Sequence, residues 1–459
     1  MTAEAEMVNT PSVSTTMDSS INSNASEYAI GTSITTKFPS FRKSSLKTVY
    51  QWLEGKRQDD GAEGLWRIND DLYDLTEFTD RHPGGAEWLR LTKGTDITEA
   101  FETQHIRNLA VQLLPMYRVR TAKEKRNVRF TFHEQGFYRT LKRRIGEKLQ
   151  DVDQRPARYS EIIQDALMTS TFVLAYLAIN VESYLLAAAC GWVLAWTMIC
   201  AHNFFHRKDN WRMLIFNIAF FSYREWRISH VLSHHLYPNS ILDLELTFFE
   251  PFLCWFVHTK KNILQRFVSW FIVPIVYVVM FFNEFIKRVV ETCSTSTKSF
   301  YKDDAITLVL PIFLYMTSAQ SILTVLAFWM IIILMASFAF GYIGLNAAHH
   351  HPEIVHSGDS IPSEIDFGVY QLAATVDRFD RKSSQFQVLT GFGDHCLHHL
   401  FPTLDQGVLA QLYPTFLETC AEFEVQYREY QWWQMLIGQY RQLARNHTTD
   451  YLVRTKKNM

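Results

Sequence analysis

Apolar runs of membrane-spanning length, several of them bounded by histidines, constrain this chain more than anything else in it. Residues 166–180 and 184–202 carry almost no charge and are separated only by Val181-Glu182-Ser183. A helix needs about 20 apolar residues to cross a bilayer, so two spans joined by a tight turn at Glu182 are expected. The second run ends in His202-Asn203-Phe204-Phe205-His206, which puts two imidazoles one helical turn apart. An interfacial helix is expected over 211–223, followed by Arg227-Ile228-Ser229-His230-Val231-Leu232-Ser233-His234-His235. Further apolar runs cover 267–282, 306–317 and 322–345, and the last leads into Asn346-Ala347-Ala348-His349-His350-His351. If every histidine group lies on one side of the membrane, an even number of spans must separate them. One of the two middle segments then lies along the interface. The flanking Lys260, Lys261, Arg266, Lys287 and Arg288 select 267–282 for that position.

A final group stands in Gly393-Asp394-His395-Cys396-Leu397-His398-His399-Leu400-Phe401-Pro402. Histidines clustered this densely are costly to bury unless a metal uses their ring nitrogens. Collected, the candidates are His202, His206, His230, His234, His235, one or two of His349, His350 and His351, and His395, His398 and His399. A structural zinc takes four ligands and favours cysteine as well. This larger set suits two ions, and imidazole is compatible with iron. A zinc site or an unmetallated cluster is the alternative. From Leu404 onward the chain reads as a polar, aromatic cap.

The first 41 residues are rich in Ser, Thr and Asn and read as a disordered tail. Order is expected from Tyr50-Gln51-Trp52. Strands over Leu65-Trp66-Arg67-Ile68 and Leu72-Tyr73-Asp74-Leu75 are separated by a turn at Asn69-Asp70-Asp71. Then comes Phe78-Thr79-Asp80-Arg81-His82-Pro83-Gly84-Gly85. Pro83 fixes the backbone beside the histidine, and two glycines allow close approach to a flat ligand. With Trp66, Leu72 and Phe78 around it, this stretch resembles the haem-binding fold of cytochrome b5. The resemblance covers residues 42–121. It implies haem b held by His82 and by His105, the one histidine near the expected distance (105 − 82 = 23), although the segment before His105 lacks the usual glycine. The alternative makes His82 a turn residue and His105 a surface one. Two nitrogen ligands leave iron no open position, so such a module transfers electrons.

Residues 122–165 include Lys123, Lys125, Arg126, Arg143 and Arg144. They read as a basic linker on an anionic leaflet, or equally as a solvated helix face. Six scattered cysteines with no paired spacing read as reduced thiols. The net charge of −2 offers no argument for nucleic acid, and the N-terminus lacks a signal-peptide pattern. Lys456-Lys457-Asn458-Met459 resembles a dilysine retrieval signal for the endoplasmic reticulum. That placement needs a cytosolic C-terminus.

The histidine groups over residues 166–440 resemble the three boxes of the membrane fatty acid desaturase and hydroxylase superfamily. With the fused haem module the pattern is similar to front-end desaturases, and more so to insect cytochrome b5-related proteins. Leu372-Ala373-Ala374-Thr375 and His398-His399-Leu400-Phe401-Pro402-Thr403 carry the likeness. Two positions depart from it. His395 stands where front-end desaturases commonly have Gln, and three residues separate His230 from His234, where the usual box is His-x-x-His-His. Asn346 and His350 resemble the Asn and His that complete the site in acyl-CoA desaturases.

The expected architecture is a small α+β haem domain, then an all-α membrane domain with a cytosolic histidine-rich cap, and a cytosolic tail over 441–459. The resemblance implies two non-haem irons and O2. It also implies a lipid or acyl-CoA substrate and a reductase of the NADH–cytochrome b5 type, in the endoplasmic reticulum membrane with both termini cytosolic. Desaturation is the expected reaction. A hydroxylase with the same metals, or a non-catalytic haem carrier or lipid-binding protein, is the alternative.

Overall fold

The computed structural model describes residues 33–44, 46–257, 260–294 and 299–450. Most of the expected tail, including the Ser-rich stretch, and the Lys456-Lys457 pair lie outside the described residues. Residues 33–41, assigned to the tail, are packed instead. Ile34 and Phe41 are buried, and the Thr36 amide donates to the Asn127 carbonyl at 2.9 Å.

Helix α1 (Val49–Asp59) opens the N-terminal module, with Thr48 accepting from the Gln51 amide as its cap. Strands β1 (Trp66–Ile68) and β2 (Asp71–Tyr73) pair antiparallel, Trp66 opposite Tyr73. The turn between them places Asn69 at φ 55°, a left-handed conformation that Asn tolerates. Helices α2 (Ala86–Thr92) and α3 (Thr98–Gln104) follow. Strand β3 (Arg118–Thr121) then joins the far side of β2. Trp66, Ile68, Tyr73, Leu75, Leu89, Ile97 and Phe101 form the core of this mixed α/β unit.

The stretch read as a basic linker is part of the fold. Arg126 pairs with Asp96 at 2.7 Å and with Glu99 at 2.5 Å. Helix α4 (Phe137–Lys148) buries Phe137, Tyr138, Leu141 and Ile145, while its Lys142 and Arg139 pair with Glu102. Arg144 pairs with Glu422 of the cap. Carboxylates within the chain thus pair with Arg126, Arg139, Lys142 and Arg144.

Four helical stretches are long and apolar enough to cross a membrane: Arg155–Asn180, Tyr184–Phe205, Leu264–Ser294 and Ile322–Gly344. They are α5 (Arg155–Asn180), α6 (Tyr184–Phe205), α7 (Ser269–Ser294, after a π-helical turn from Leu264) and α8 (Ile322–Gly344). Glu182, at φ 51°, makes the tight turn between the first two, and Ser183 and Ser321 cap α6 and α8. Outward-facing Leu185, Phe271 and Leu323 remain exposed, as a lipid-facing surface requires. Gly191 lets α6 and α8 touch: a Cβ there would sit 2.5 Å from the Ile332 carbonyl oxygen.

Segment 267–282, expected along the interface, lies within a helical stretch, Leu264–Ser294, that is long and apolar enough to cross a membrane. The charges that flank its C-terminal part are paired within the fold. Lys287 pairs with Glu284, and Arg288 pairs with Asp304 at 2.6 Å and donates to the Phe220 carbonyl. The helix within 306–317 is Val309–Met316, too short to cross. Segment 211–223 contains a 3-10 helix, Trp211–Ala219. Cap helices α9 (Phe367–Ala374) and α10 (His395–Leu400) pack on each other, and α10 brings His398 to His202 near the end of α6. All six cysteines are free thiols.

Candidate haem cleft and metal centre

His82 and His105 face each other across a cleft in the N-terminal module. His82 ends the 3-10 turn Thr79–Arg81, and its Nδ1 lies 2.9 Å from the Gly85 carbonyl. Gly85 sits at φ 113°, where a side chain would be strained. His105 follows α3, its Nδ1 3.0 Å from the Phe101 carbonyl. A carbonyl can only accept, so both Nδ1 atoms carry the proton and both Nε2 atoms offer a lone pair. The ring centroids are 6.1 Å apart, a gap that two nitrogen–metal bonds of about 2 Å and two half-rings span. Burial holds His105 below the ordinary histidine value, which keeps it neutral. The cavity between the rings measures ≈ 920 Å³ and is walled by Leu75, Phe78, Pro83, Ile97, Phe101 and Leu114. Its other wall belongs to the membrane half: His206, Arg207, Val231, Leu232 and Leu404.

The module is held against that half by buried contacts. Trp52 Nε1 donates to the Leu242 carbonyl at 2.9 Å, and the Tyr237 hydroxyl donates to Glu99 at 3.2 Å. Glu87 pairs with Arg224 and with the fully buried Arg227.

Nine histidines from the inner ends of α6 and α8, from residues 230–235 and from α10 converge in two groups. His202, His206, His230, His235 and His398 present ring nitrogens within 4.8 Å of one another, as do His234, His349, His395 and His399. In the first group His202 Nε2 lies 2.7 Å from His230 Nε2, 2.9 Å from His206 Nε2 and 3.2 Å from His398 Nε2. One N–H cannot serve several converging lone pairs, whereas a cation can. In the second group His349 Nε2 lies 2.9 Å from His395 Nε2. Buried Nδ1 of His206, His235, His395 and His398, and Nε2 of His399, have no hydrogen-bond partner among the described residues.

Outer partners orient four of the rings. Glu245 lies 2.7 Å from His230 Nδ1 and Asp243 lies 3.0 Å from His234 Nδ1. The Ala374 carbonyl meets His349 Nδ1 at 3.1 Å, and Gln371 Oε1 meets His399 Nδ1 at 3.1 Å. Acceptors on Nδ1 keep a proton there and aim Nε2 inward, which is how ligating histidines are held. Burial keeps His206, His230, His235, His349, His395, His398 and His399 well below the ordinary value. They are therefore the neutral form that binds metal. Burial pulls His234 the same way, but the Asp243 and Glu245 carboxylates outweigh it and lift it to about 9, so an ion bound at its Nε2 would displace a proton. The donor set fits metal ions.

Of the three adjacent histidines, His349 joins a group and the other two turn aside. His350, expected as a ligand, stacks on Trp255 with centroids 4.2 Å apart, and His351 stacks on Tyr430. Consecutive residues beyond the end of α8 cannot point one way. Asn346 donates to Tyr277 at 3.1 Å and to the Tyr342 carbonyl at 2.8 Å, while its buried Oδ1 has no partner among the described residues. Asp243, Glu245 and Gln371 went unnoticed in the sequence. The Asp-Leu-Glu that starts eight residues after His235 was the signal available. A narrow apolar cleft of ≈ 100 Å³ reaches the centre, with Phe221, Trp226, Met280 and Phe340 on its walls beside His230, His234, His349 and His395.

Comparison with known proteins covers both halves of the chain. A model described as fatty acid desaturase matches residues 179–431, and one described as cytochrome b5-like heme/steroid binding domain matches residues 51–123. A cytochrome b5-related protein of Drosophila melanogaster is 47% identical over 415 residues, 90% of this chain and 95% of its own length. A probable Delta(5) fatty acid desaturase C of Dictyostelium discoideum is 23% identical, covering 84% of this chain and 92% of its own. An acyl-lipid (8-3)-desaturase of Mortierella alpina is 25% identical, covering 83% and 92%. No solved structure matches. The family implies a lipid substrate, O2 and iron, and the haem-binding module implies electron transfer. Four apolar helices and gathered histidine boxes behind a haem-type cleft agree with these matches, and the chain belongs to the fatty acid desaturase family, with a cytochrome b5-like domain at its N-terminal side.

Proposed function

We propose that the chain is an oxygen-dependent lipid desaturase of the endoplasmic reticulum membrane. On this reading, haem held by its own N-terminal module would relay electrons from a reductase of the NADH–cytochrome b5 type, for use at a di-iron centre that the histidine groups would hold. The observation that carries this reading is the shared wall. His206 closes the cleft that holds His82 and His105, and it is also one of the five imidazoles of the first metal group. A haem held by His82 and His105 would supply one-electron transfer. His202, His206, His230, His235 and His398 would hold one iron, and His234, His349, His395 and His399 the other. Asn346, with its unpartnered Oδ1, is a further candidate ligand. Bound there, the pair would supply the oxygen activation needed to remove hydrogen from an unactivated methylene.

The chain's own residues do the rest. Asp243 and Glu245 hold the protons of His234 and His230 on Nδ1, away from the centre. Phe221, Trp226, Met280 and Phe340 exclude water and align a short length of acyl chain past His230 and His349. Four crossings would leave both ends of the described chain on one side of the membrane, which is the cytosol on this reading.

The test is turnover by the purified full-length protein with NADH, a cytochrome b5 reductase and O2. Acyl chains are offered as CoA thioesters, phospholipids and sphingolipids, with mass spectrometry of the products. A new double bond supports the reading. A hydroxylated product would assign a hydroxylase, and a reducible haem with no oxidised lipid would make the chain an electron carrier.

A further inference from the structure

The segment Arg227–His234 is a π-helix. Its defining bond runs from the His235 amide to the His230 carbonyl at 2.8 Å, after which Tyr237 returns to bonding four residues back, to Ser233. Pitch decides where these three histidines point. An α-helix advances about 100° per residue, which would set His230 beside His234 and turn His235 away by about 140°. Bonding five residues back lowers the advance to roughly 80° per residue. His234 and His235 then fan out to either side of His230, about 40° each way.

The rings show this fan. His230 Nε2 lies 3.0 Å from His235 Nε2, the His230 and His234 rings are 5.4 Å apart at 25°, and His234 and His235 stand at 87° to each other. Ser233 fastens the turn: its hydroxyl donates to the Leu242 carbonyl at 2.7 Å and accepts from the Leu244 amide at 2.8 Å. That anchor sets Asp243 against His234 and Glu245 against His230.

We propose that this π-turn distributes one histidine triplet between two metal ions, His235 with His230 to the first and the adjacent His234 to the second. The extra residue between His230 and His234 is thereby absorbed without loss of a ligand. An α-helical His-x-x-His-His would produce a similar fan, its first histidine about 60° from one neighbour and about 40° from the other. The inference rests on the metal reading above, and it makes His230 a ligand partner of His235 across five residues.

The test is cobalt(II) titration of the metal-depleted, haem-containing full-length protein in detergent, followed by d–d absorption. His230→Ala/His235→Ala is expected to weaken one of two sites at least about 10-fold and leave the other at wild-type affinity. His230→Ala/His234→Ala is expected to weaken both. The reverse pattern, both sites weakened by the first pair and one spared by the second, would mean α-helical pairing and overturn the proposal. Glutamine versions replace any alanine pair that loses the Soret band or elutes as aggregate. A wild type that binds two cobalt ions but is purified without non-haem iron overturns the iron reading alone. A wild type that binds no cobalt overturns both.

Discussion

Removing the negative charge of Glu102 measures how firmly the haem module is docked. Glu102 is 3% exposed, and it receives Arg139 at 2.5 Å and Lys142 at 2.8 Å from α4, whose Tyr138 hydroxyl also donates to the Glu102 carbonyl. Burial alone would raise its carboxyl, but Lys142 and Arg139 outweigh it and hold the group below the ordinary range. Glu102→Gln keeps the volume and strands a buried ammonium. Breaking a buried pair costs about 3–5 kcal/mol, and the 29% exposure of Arg139 favours the lower figure. Urea unfolding of the module, followed at the Soret band, has a slope of about 1 kcal/mol/M for a domain this small. The midpoint is therefore expected to fall by about 3 M. Lys123→Ala removes an exposed cation 3.6 Å from Glu63 and is expected to change stability by less than about 1 kcal/mol.

The sign of the pH dependence follows. A carboxyl depressed in the folded state stabilises fully above the unfolded value of about 4.3, and this contribution is lost as pH falls below it. The gap between wild type and Glu102→Gln should be full at pH 7 and should close in acid. Equal midpoints for Glu102→Gln and wild type at pH 7 would refute the docking argument.

The remaining predictions concern the two sites and the helix packing. His82→Ala is expected to abolish the Soret band, and an unchanged spectrum would remove the electron-transfer half of the account. His398→Ala should leave haem intact and eliminate oxidised lipid. Full turnover by His398→Ala/His399→Ala would end the metal assignment. Asp243→Asn should lower the affinity of one metal site by about 10- to 100-fold, measured as metal bound per haem in a chelator competition, with no change at the other site. Gly191→Leu forces atoms into the Ile332 carbonyl and is expected to destabilise by at least about 1–3 kcal/mol, read as early loss of monodisperse elution on heating.

Much of the candidate site was legible because its chemistry is written at short spacing. Pro83, Gly84 and Gly85 beside His82 announce a close-approach turn, and histidine pairs four residues apart announce a helix face. Spacing says nothing, however, of which rings meet across the fold. His349 and His350 are equivalent in sequence, and only the chain path beyond α8 sends one to the centre and the other onto Trp255. Asp243 and Glu245 read as ordinary acidic residues until Ser233 seats their loop against the histidines. Lys287 and Arg288 look like a stop in the sequence, while Glu284 and Asp304 neutralise them in a helix that is long enough to span.

By itself, then, the sequence determined a haem-type turn, a set of apolar helices and an excess of histidines, since each is a local pattern of residue type and period. The tertiary structure decided how nine imidazoles divide into groups of five and four. It also decided that a π-helical pitch keeps His230 with His235, and that the haem cleft backs onto His206. These are distances between segments far apart in the chain, or a change of helical pitch of roughly 20° per residue, and no local spacing encodes them.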